Sequence, residues 1–441
     1  MDWLTAGACD LGRGIGAGRI DPVDLAEAYL EAATAHPDGK RIYARLTPDR
    51  ARAEALAARD RAKAGLRASL LDGVPVSWKD LFDTAGVATE AGSRLLSGRV
   101  PDRDAHVLQT ATAEGLVCLG KTHMTELAFS GLGLNPMTAT PPNAHDPSLV
   151  AGGSSSGAAV SVALGLAAAG IGSDTGGSVR IPAAWNGLVG LKTTHGRLSL
   201  KGVVPLVESF DTVGPLTRTV EDAAHCLAVL EGGRAADLRR ASLQGMRLAV
   251  LETLALDEVR DVPLAAFHDA TERLARAGAR VERLLLPEVA DAMALAGPLF
   301  TAEAWAIWGG VIDAHSDLMF EPIRDRFRGG EIFSGSDVIR AWRRLRTIRA
   351  IWAERTAGFD AVLLPTSAIL PPDAARLLSD SAYFTAENLL ALRNTRIANL
   401  MGISAITLPT GHPMCGLSLM GKARGEENLL RIAAAAEAAL G

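Results

Sequence analysis

Between Gly152 and Arg180 the chain reads GGSSSGAAVSVALGLAAAGIGSDTGGSVR, two Gly–Ser clusters joined by an apolar segment. Residues 157–169 are Ala-rich and apolar almost all round, the pattern of a helix buried on every side. About 13 residues of helix span roughly 20 Å. The following AGIGSD, residues 169–174, predicts a strand ending at a Gly-rich turn. Such a strand runs back along the helix, which brings both clusters to one edge of a sheet. A single cluster is explained by turns and helix caps. Two clusters that meet point to a site, and Gly176-Gly177 lets backbone amides face a ligand oxygen.

Helical spacing covers residues 22–35, 48–66, 104–114, 263–277 and 425–440. Short apolar runs at 73–80, 116–120, 248–251, 281–286, 361–365, 404–409 and 416–420 predict strands. This alternation predicts an α/β fold, a largely buried sheet with helices on both faces. The length of 441 residues fits two or three domains, or one large one. Residues 290–400 are more helical and richer in Trp and Phe, so a lid or pocket region is expected there. Phe300, Trp305 and Trp308 are candidate pocket residues, with plain core as the alternative.

Composition excludes several classes. Hydrophobic residues make up 48% and charged residues 22%, which rules out a disordered or fibrous chain. The net charge is −5 and no long basic run exists, so no nucleic-acid groove is advertised. Cys9, Cys118, Cys226 and Cys415 form no metal-binding or disulfide pattern. The longest nearly apolar run has about 14 residues, against about 20 for a membrane span. No secretory signal is visible at the start, and a cytoplasmic location is expected. Only 7 of the 45 basic residues are Lys, which makes each Lys worth weighing.

Two short motifs suggest other chemistries. Gly115–Thr122 matches the phosphate-binding G-x-x-x-x-G-K-T of NTPases, but its interior, Leu-Val-Cys-Leu, reads as a strand rather than a cradle. Gly153–Gly157 matches the G-x-S-x-G nucleophile elbow, with His412 as the best-placed downstream histidine. The residues upstream, PPNAHDPSLVA, are turn-like where an elbow needs an apolar strand.

The 152–180 run resembles the defining block of the amidase signature family, serine amidases with a Ser-Ser-Lys triad. GVPVSWKDLFDTAG at 73–86, AGS at 91–93, GKTHMTELAF at 120–129, GLVGLKTTHGRLS at 187–199 and FDTVGPLTRTVEDAA at 210–224 resemble the family in order and spacing. The match is close over about residues 20–230 and looser over the C-terminal 60. The resemblance implies a single amidase domain over residues 1–441, with a mixed central sheet, a signature core at 70–230 and a variable pocket region at 290–400. It makes Ser178 the nucleophile, Ser154 the bridging serine and Lys79 the base. It implies a cis Gly153–Ser154 bond and an oxyanion hole from the amides of Thr175, Gly176, Gly177 and Ser178. Asp174, Arg180 and Ser155 are implied supporting residues. The sequence departs from the family at His123, where Asn is common, and at Asn143-Ala144, where Asn-Pro is common; both are expected near the pocket mouth.

The chemistry of these residue types agrees. A Ser hydroxyl attacks only when a neighbour accepts its proton. An ordinary Lys, with a pKa of about 10.4, is protonated at pH 7, but burial disfavours the ammonium. Lys79 follows Val74, Val76 and Trp78, a low-dielectric setting; a solvent-facing pair with Asp80 is the alternative. The implied activity is hydrolysis of a small linear carboxylic amide through an acyl-enzyme, with no metal or organic cofactor. Carbamates and urea-like amides are alternatives, as is glutamine in the glutaminase subunit of a tRNA-dependent amidotransferase. A catalytically dead binding module is disfavoured by the complete triad. The expected partner is a small-molecule amide, with no membrane, and with no nucleic acid unless the chain is such a glutaminase. The sequence is compatible with a homodimer.

Overall fold

Strands covered on both faces read as unbroken buried runs, because neither side meets water. The computed structural model, which describes residues 2–441, has several such strands at its centre. The strands are β1 (Tyr43–Leu46), β2 (Pro75–Lys79), β3 (Val117–Thr122), β4 (Ala169–Ser173), β5 (Val189–Lys192), β6 (Val213–Thr217), β7 (Arg247–Leu251), β8 (Arg280–Leu284), β9 (Ala361–Pro365), β10 (Ala405–Pro409) and β11 (Gly416–Met420). Every residue of β2, β3, β4, β5, β6 and β9 is buried.

All eleven join one sheet in the order β1-β3-β2-β4-β6-β5-β10-β11-β9-β7-β8. The sheet is mixed, as the family resemblance implies. β2 runs parallel to both β3 and β4, and β7 parallel to β8 and β9, while the strands between β4 and β9 pair antiparallel. Residues 290–400 supply β9 to this sheet, so the region is built into the domain.

The register of β2 against β4 positions the site. Val76, Ser77 and Trp78 pair with Ala169, Gly170 and Ile171, so the C-terminal ends of both strands reach the same edge. Open parallel sheets hold their ligands at that edge. Lys79 ends β2 and Ser173 ends β4.

The buried helix before β4 is shorter than its composition predicts. It covers Ser156–Ala163, and Gly165 follows in a left-handed conformation at φ +73°. A Cβ there would meet the Leu4 carbonyl at 2.9 Å, so glycine is needed at this turn, and residues 166–168 lead straight into the strand. Every residue of the helix up to Val162 is buried, as its all-apolar surface requires.

Gly115–Thr122 is not a phosphate loop. Val117–Thr122 lies fully buried between β1 and β2, and Lys121 Nζ sits 3.2 Å from Asp80 and 2.8 Å from Thr89 Oγ1. The following residues form only a 3-10 turn, Glu126–Ala128. The elbow reading also fails, since no strand leads into Gly153 and His412 lies at the surface beside Asp269. The four cysteines are buried free thiols. Among the described residues no single helix is long and apolar enough to cross a membrane.

Candidate active site

Two turns and one strand end converge on the Ser-rich edge. The peptide bond Gly153–Ser154 is cis, as expected. A Cβ at Gly153 would meet Thr125 Oγ1 at 2.5 Å and the Gly133 amide nitrogen at 2.7 Å, so glycine is required by close packing. Ser154 and Ser155 are fully buried. The Ser155 amide donates to the Ser178 carbonyl at 3.1 Å, and its hydroxyl donates to the Ser173 carbonyl at 3.2 Å. Ser155 thus stitches the first cluster to the second.

Lys79 is fully buried, and its Nζ lies 2.7 Å from Ser154 Oγ and 2.8 Å from Ser173 Oγ. Burial lowers its pKa from 10.5 to about 7, although the negative charges of Asp174 and Asp211 oppose the fall. The solvent-facing alternative for Lys79 is therefore excluded; Asp80 pairs instead with Arg45 and Lys121. Ser178 lies on the turn that follows β4, is 3% exposed and lines a small niche with Thr175 and Gly176. Among the described residues its hydroxyl makes no hydrogen bond to the protein, so the link from Ser154 to Ser178 is not closed in this structure.

The turn carrying Ser178 is held by Asp174. One carboxylate oxygen accepts from the Gly177 amide at 2.9 Å and the other from the Val179 amide at 3.2 Å. Arg180 donates to both oxygens, at 3.0 and 2.9 Å, and Asn399 Nδ2 donates at 2.9 Å. Burial alone would raise the Asp174 pKa, but the Arg180 guanidinium overcomes it and holds the carboxyl at about 2. Gly177 sits at φ +139°, and a Cβ there would strike Thr395 Oγ1 at 2.1 Å.

One expected role needs correction. The Gly177 amide is committed to Asp174 and is not free for an oxyanion. Among the described residues the amides of Thr175, Gly176 and Ser178 have no acceptor in the protein. Those three are the donors available to a developing oxyanion.

Asp174→Ala is expected to cost about 3–5 kcal/mol of stability, because Arg180 is only 1% exposed and would be left as an uncompensated buried charge. Denaturant unfolding measures it. A loss below about 1 kcal/mol, the value of a surface ion pair, would mean the pair does not hold the turn.

Several residues here are not visible from sequence patterning. Ser173 is the second neighbour of Lys79. Asp211 accepts from the Thr175 hydroxyl and from the Leu206 and Val207 amides; burial raises its pKa to about 6. Thr395 donates to the Gly176 carbonyl at 2.7 Å from the helix Ser381–Met401. Ser173 directly precedes Asp174, and Asp211 lies in the family-like FDT run, so position in those motifs is the usable signal.

Beside the niche lies a cavity of about 510 Å³, lined wholly by residues 296–396. The niche and the cavity share Phe300, Arg326 and Arg396. Residues from the 290–400 region thus line this cavity. Of its aromatics, Phe300 lines it, whereas Trp308 is buried with its Nε1 donating to the Pro205 carbonyl, and Trp305 lines neither space. His123 and Asn143 also line neither; Asn143 is buried and donates to the Val150 and Trp185 carbonyls.

Residues 24–430 match the family model Amidase. The chain belongs to the amidase family. Among curated relatives, this amidase-family chain is 38% identical to 2-amino-5-chloromuconic acid deaminase of Comamonas testosteroni, over 84% of this chain and 82% of the relative. It is 34% identical to a glutamyl-tRNA(Gln) amidotransferase subunit of Anaeromyxobacter sp. strain K, over 99% of this chain and 96% of the relative. A solved structure of an amidase superposes with a TM-score of 0.89 at 30% identity, covering 99% of this chain and all of the other.

The side chains are a poor match for a metal. Among the described residues, Cys9, Glu221 and His225 place ligand atoms within 4.8 Å of one another. Glu221 is already paired with Arg13 at 2.9 Å, and burial pushes the Cys9 thiol up, away from the thiolate a metal needs.

Proposed function

We propose that the protein hydrolyses a small linear carboxylic amide, with Ser178 as nucleophile and Lys79 and Ser154 as its proton relay. The observation that carries the reading is the buried Lys79 amine within 2.7 Å of Ser154, at a pKa of about 7. About half of that amine is uncharged at neutral pH, so it can accept a proton. The relay requires the Ser178 hydroxyl to turn toward Ser154. Ser178 Oγ then attacks the amide carbon, its proton passes to Ser154, and Ser154's own proton passes to Lys79 Nζ. The carbonyl oxygen becomes an oxyanion beside the amides of Thr175, Gly176 and Ser178. Collapse expels the amine, which takes the proton back through the same relay. Water then attacks the acyl-enzyme, the relay again accepts a proton, and the carboxylic acid leaves.

A fluorophosphonate is expected to label one serine stoichiometrically. Peptide mapping should place the label at Ser178, and ammonia release from simple amides should fall in parallel. Label on another serine, with activity lost, would overturn the assignment.

The 34% identity to an amidotransferase subunit over nearly the whole chain supports a second reading, a glutaminase working within such a complex. Copurification with partner chains from the native host, together with glutamine as the best amide, would favour it over a stand-alone amidase.

A further inference from the structure

Two arginines that line the cavity beside Ser178 have no paired carboxylate among the described residues. Arg326 comes from the helix Glu321–Arg328 and Arg396 from the helix Ser381–Met401. Both side chains line the 510 Å³ cavity and both line the Ser178 niche. Arg396 is 8% exposed, and its Nε lies 3.9 Å from where a Cβ on Gly176 would stand, so it abuts the turn that carries Ser178.

What these guanidiniums touch is not acidic. Arg326 donates once, to the Phe129 carbonyl at 2.9 Å, and its guanidinium lies 4.3 Å from the Phe129 ring centre. Arg396 reaches Met293 Sδ at 3.8 Å and lies 5.8 Å from the Phe300 ring centre. Each guanidinium has five donors, and most of them are left over. The acids on the cavity wall, Glu321 and Asp325, are taken by Arg324, at 3.4 and 2.9 Å. Burial lowers both arginines, Arg326 to about 9, with the charge of Arg396 adding to the fall, and Arg396 to about 10. Both stay charged at neutral pH, and among the described residues neither has a carboxylate paired with it.

Two like charges facing one low-dielectric space are costly unless an anion joins them. An aromatic face offsets only a small part of that cost. Planar, bidentate recognition of a carboxylate is what paired guanidiniums supply.

We infer that Arg326 and Arg396 bind a free carboxylate on the substrate, so that the preferred substrate is the monoamide of a small dicarboxylic acid. The inference rests on the hydrolase reading and adds the substrate class. The cavity is of the size that holds a small ligand. Counting Arg324, three guanidiniums stand against two carboxylates at this wall, a net charge of +1 that favours an anion over an ammonium-bearing group. Glutamine, which is glutaramate with an added ammonium, should therefore be the poorer substrate of that pair.

The test pairs charged and neutral amides of equal length: malonamate, succinamate and glutaramate against propionamide, butyramide and valeramide, with glutamine as a further arm. Wild-type kcat/KM is expected to favour the charged member by about 10²-fold, the scale of one buried charged hydrogen-bonded contact. Arg326→Met and Arg396→Met should each erode that ratio by about tenfold or more, chiefly through KM, and Arg396→Lys should restore part of it. A second measurement does not depend on turnover. Succinate, the product of succinamate, should bind Ser178→Ala protein by calorimetry and bind the Ser178→Ala/Arg396→Met double variant about tenfold more weakly or worse. Neutral amides turned over as well as charged ones, or glutamine preferred over glutaramate, would overturn the inference and leave the hydrolase standing. Succinate binding without hydrolysis of any amide would support the carboxylate site and overturn the hydrolase. Neither succinate binding nor a charge preference would remove the inference outright.

Discussion

Ser178→Ala is expected to lower kcat for amide hydrolysis by about 10⁴- to 10⁶-fold, the range seen when a serine nucleophile is removed. The protein should fold as before. Among the described residues the Ser178 hydroxyl makes no hydrogen bond, and the backbone carbonyl that ties this residue to the Ser155 amide at 3.1 Å survives the change. Truncation of one oxygen that faces the niche therefore costs well under the roughly 1 kcal/mol of an average hydrogen bond. An unchanged melting curve with lost turnover separates catalysis from stability. The backbone donors at positions 175, 176 and 178 remain in the variant, so weak residual hydrolysis above the solvent rate is expected. The matching control is Ser130→Ala. Ser130 also lines the niche, but its hydroxyl is engaged with Asn388 at 3.0 Å, so it is not poised to attack. Ser178→Ala activity within about tenfold of wild type, far above the residual that backbone donors alone leave, would place the nucleophile elsewhere.

The sequence makes some of this legible and hides the rest for physical reasons. The meeting of the two Ser clusters follows from a buried helix and a returning strand, and the β2–β4 register delivers it. The helix end is hidden because Leu164–Ala168 is as apolar as the helix itself, and only the left-handed Gly165 stops it. β1, β5 and β6 escape pattern reading; β1 is four residues long and the other two carry Gly within their runs. Lys79 needs more than pattern, since a Lys beside an Asp at a strand end reads as a surface pair. Asp80 instead turns to Arg45 and Lys121, which frees the Lys79 amine to point into the serine cluster. Arg326 and Arg396 are invisible among the many arginines, because what distinguishes them is the lack of a paired acid in three dimensions. The family resemblance assigns the Gly177 amide to the oxyanion hole, but the Asp174 carboxylate on the same turn claims it first.

Lys79→Met carries the second large effect and tests the charge state on which the relay depends. Loss of a general base typically costs about 10²- to 10⁴-fold. In the wild type, only the uncharged amine can accept a proton, so kcat/KM should rise about tenfold per pH unit below pH 7 and level off above it. In Lys79→Met the remaining activity should lose that limb. Lys192 and Glu126 also titrate near 7 through burial, which makes the variant necessary. Lys192 Nζ is spent on the Thr193 and Ile403 carbonyls, at 2.8 and 2.9 Å, and Glu126 on Ser93 and the Phe320 amide, both at 2.9 Å. A limb that persists in Lys79→Met would assign the base to another group. Stability should move the opposite way to activity. An amine whose pKa falls from 10.5 to about 7 on folding destabilises the native state at neutral pH by on the order of 4 kcal/mol. The sign follows from proton uptake: the unfolded chain binds the extra proton between pH 7 and 10.5, so this penalty is full below 7 and fades as pH rises to 10.5. Methionine fills a similar volume without that penalty and forfeits two hydrogen bonds worth about 1 kcal/mol each. Lys79→Met should therefore melt no lower than the wild type at pH 7, and the difference should shrink toward about pH 10. A variant that is inactive and also markedly less stable would mean that Lys79 serves the fold first.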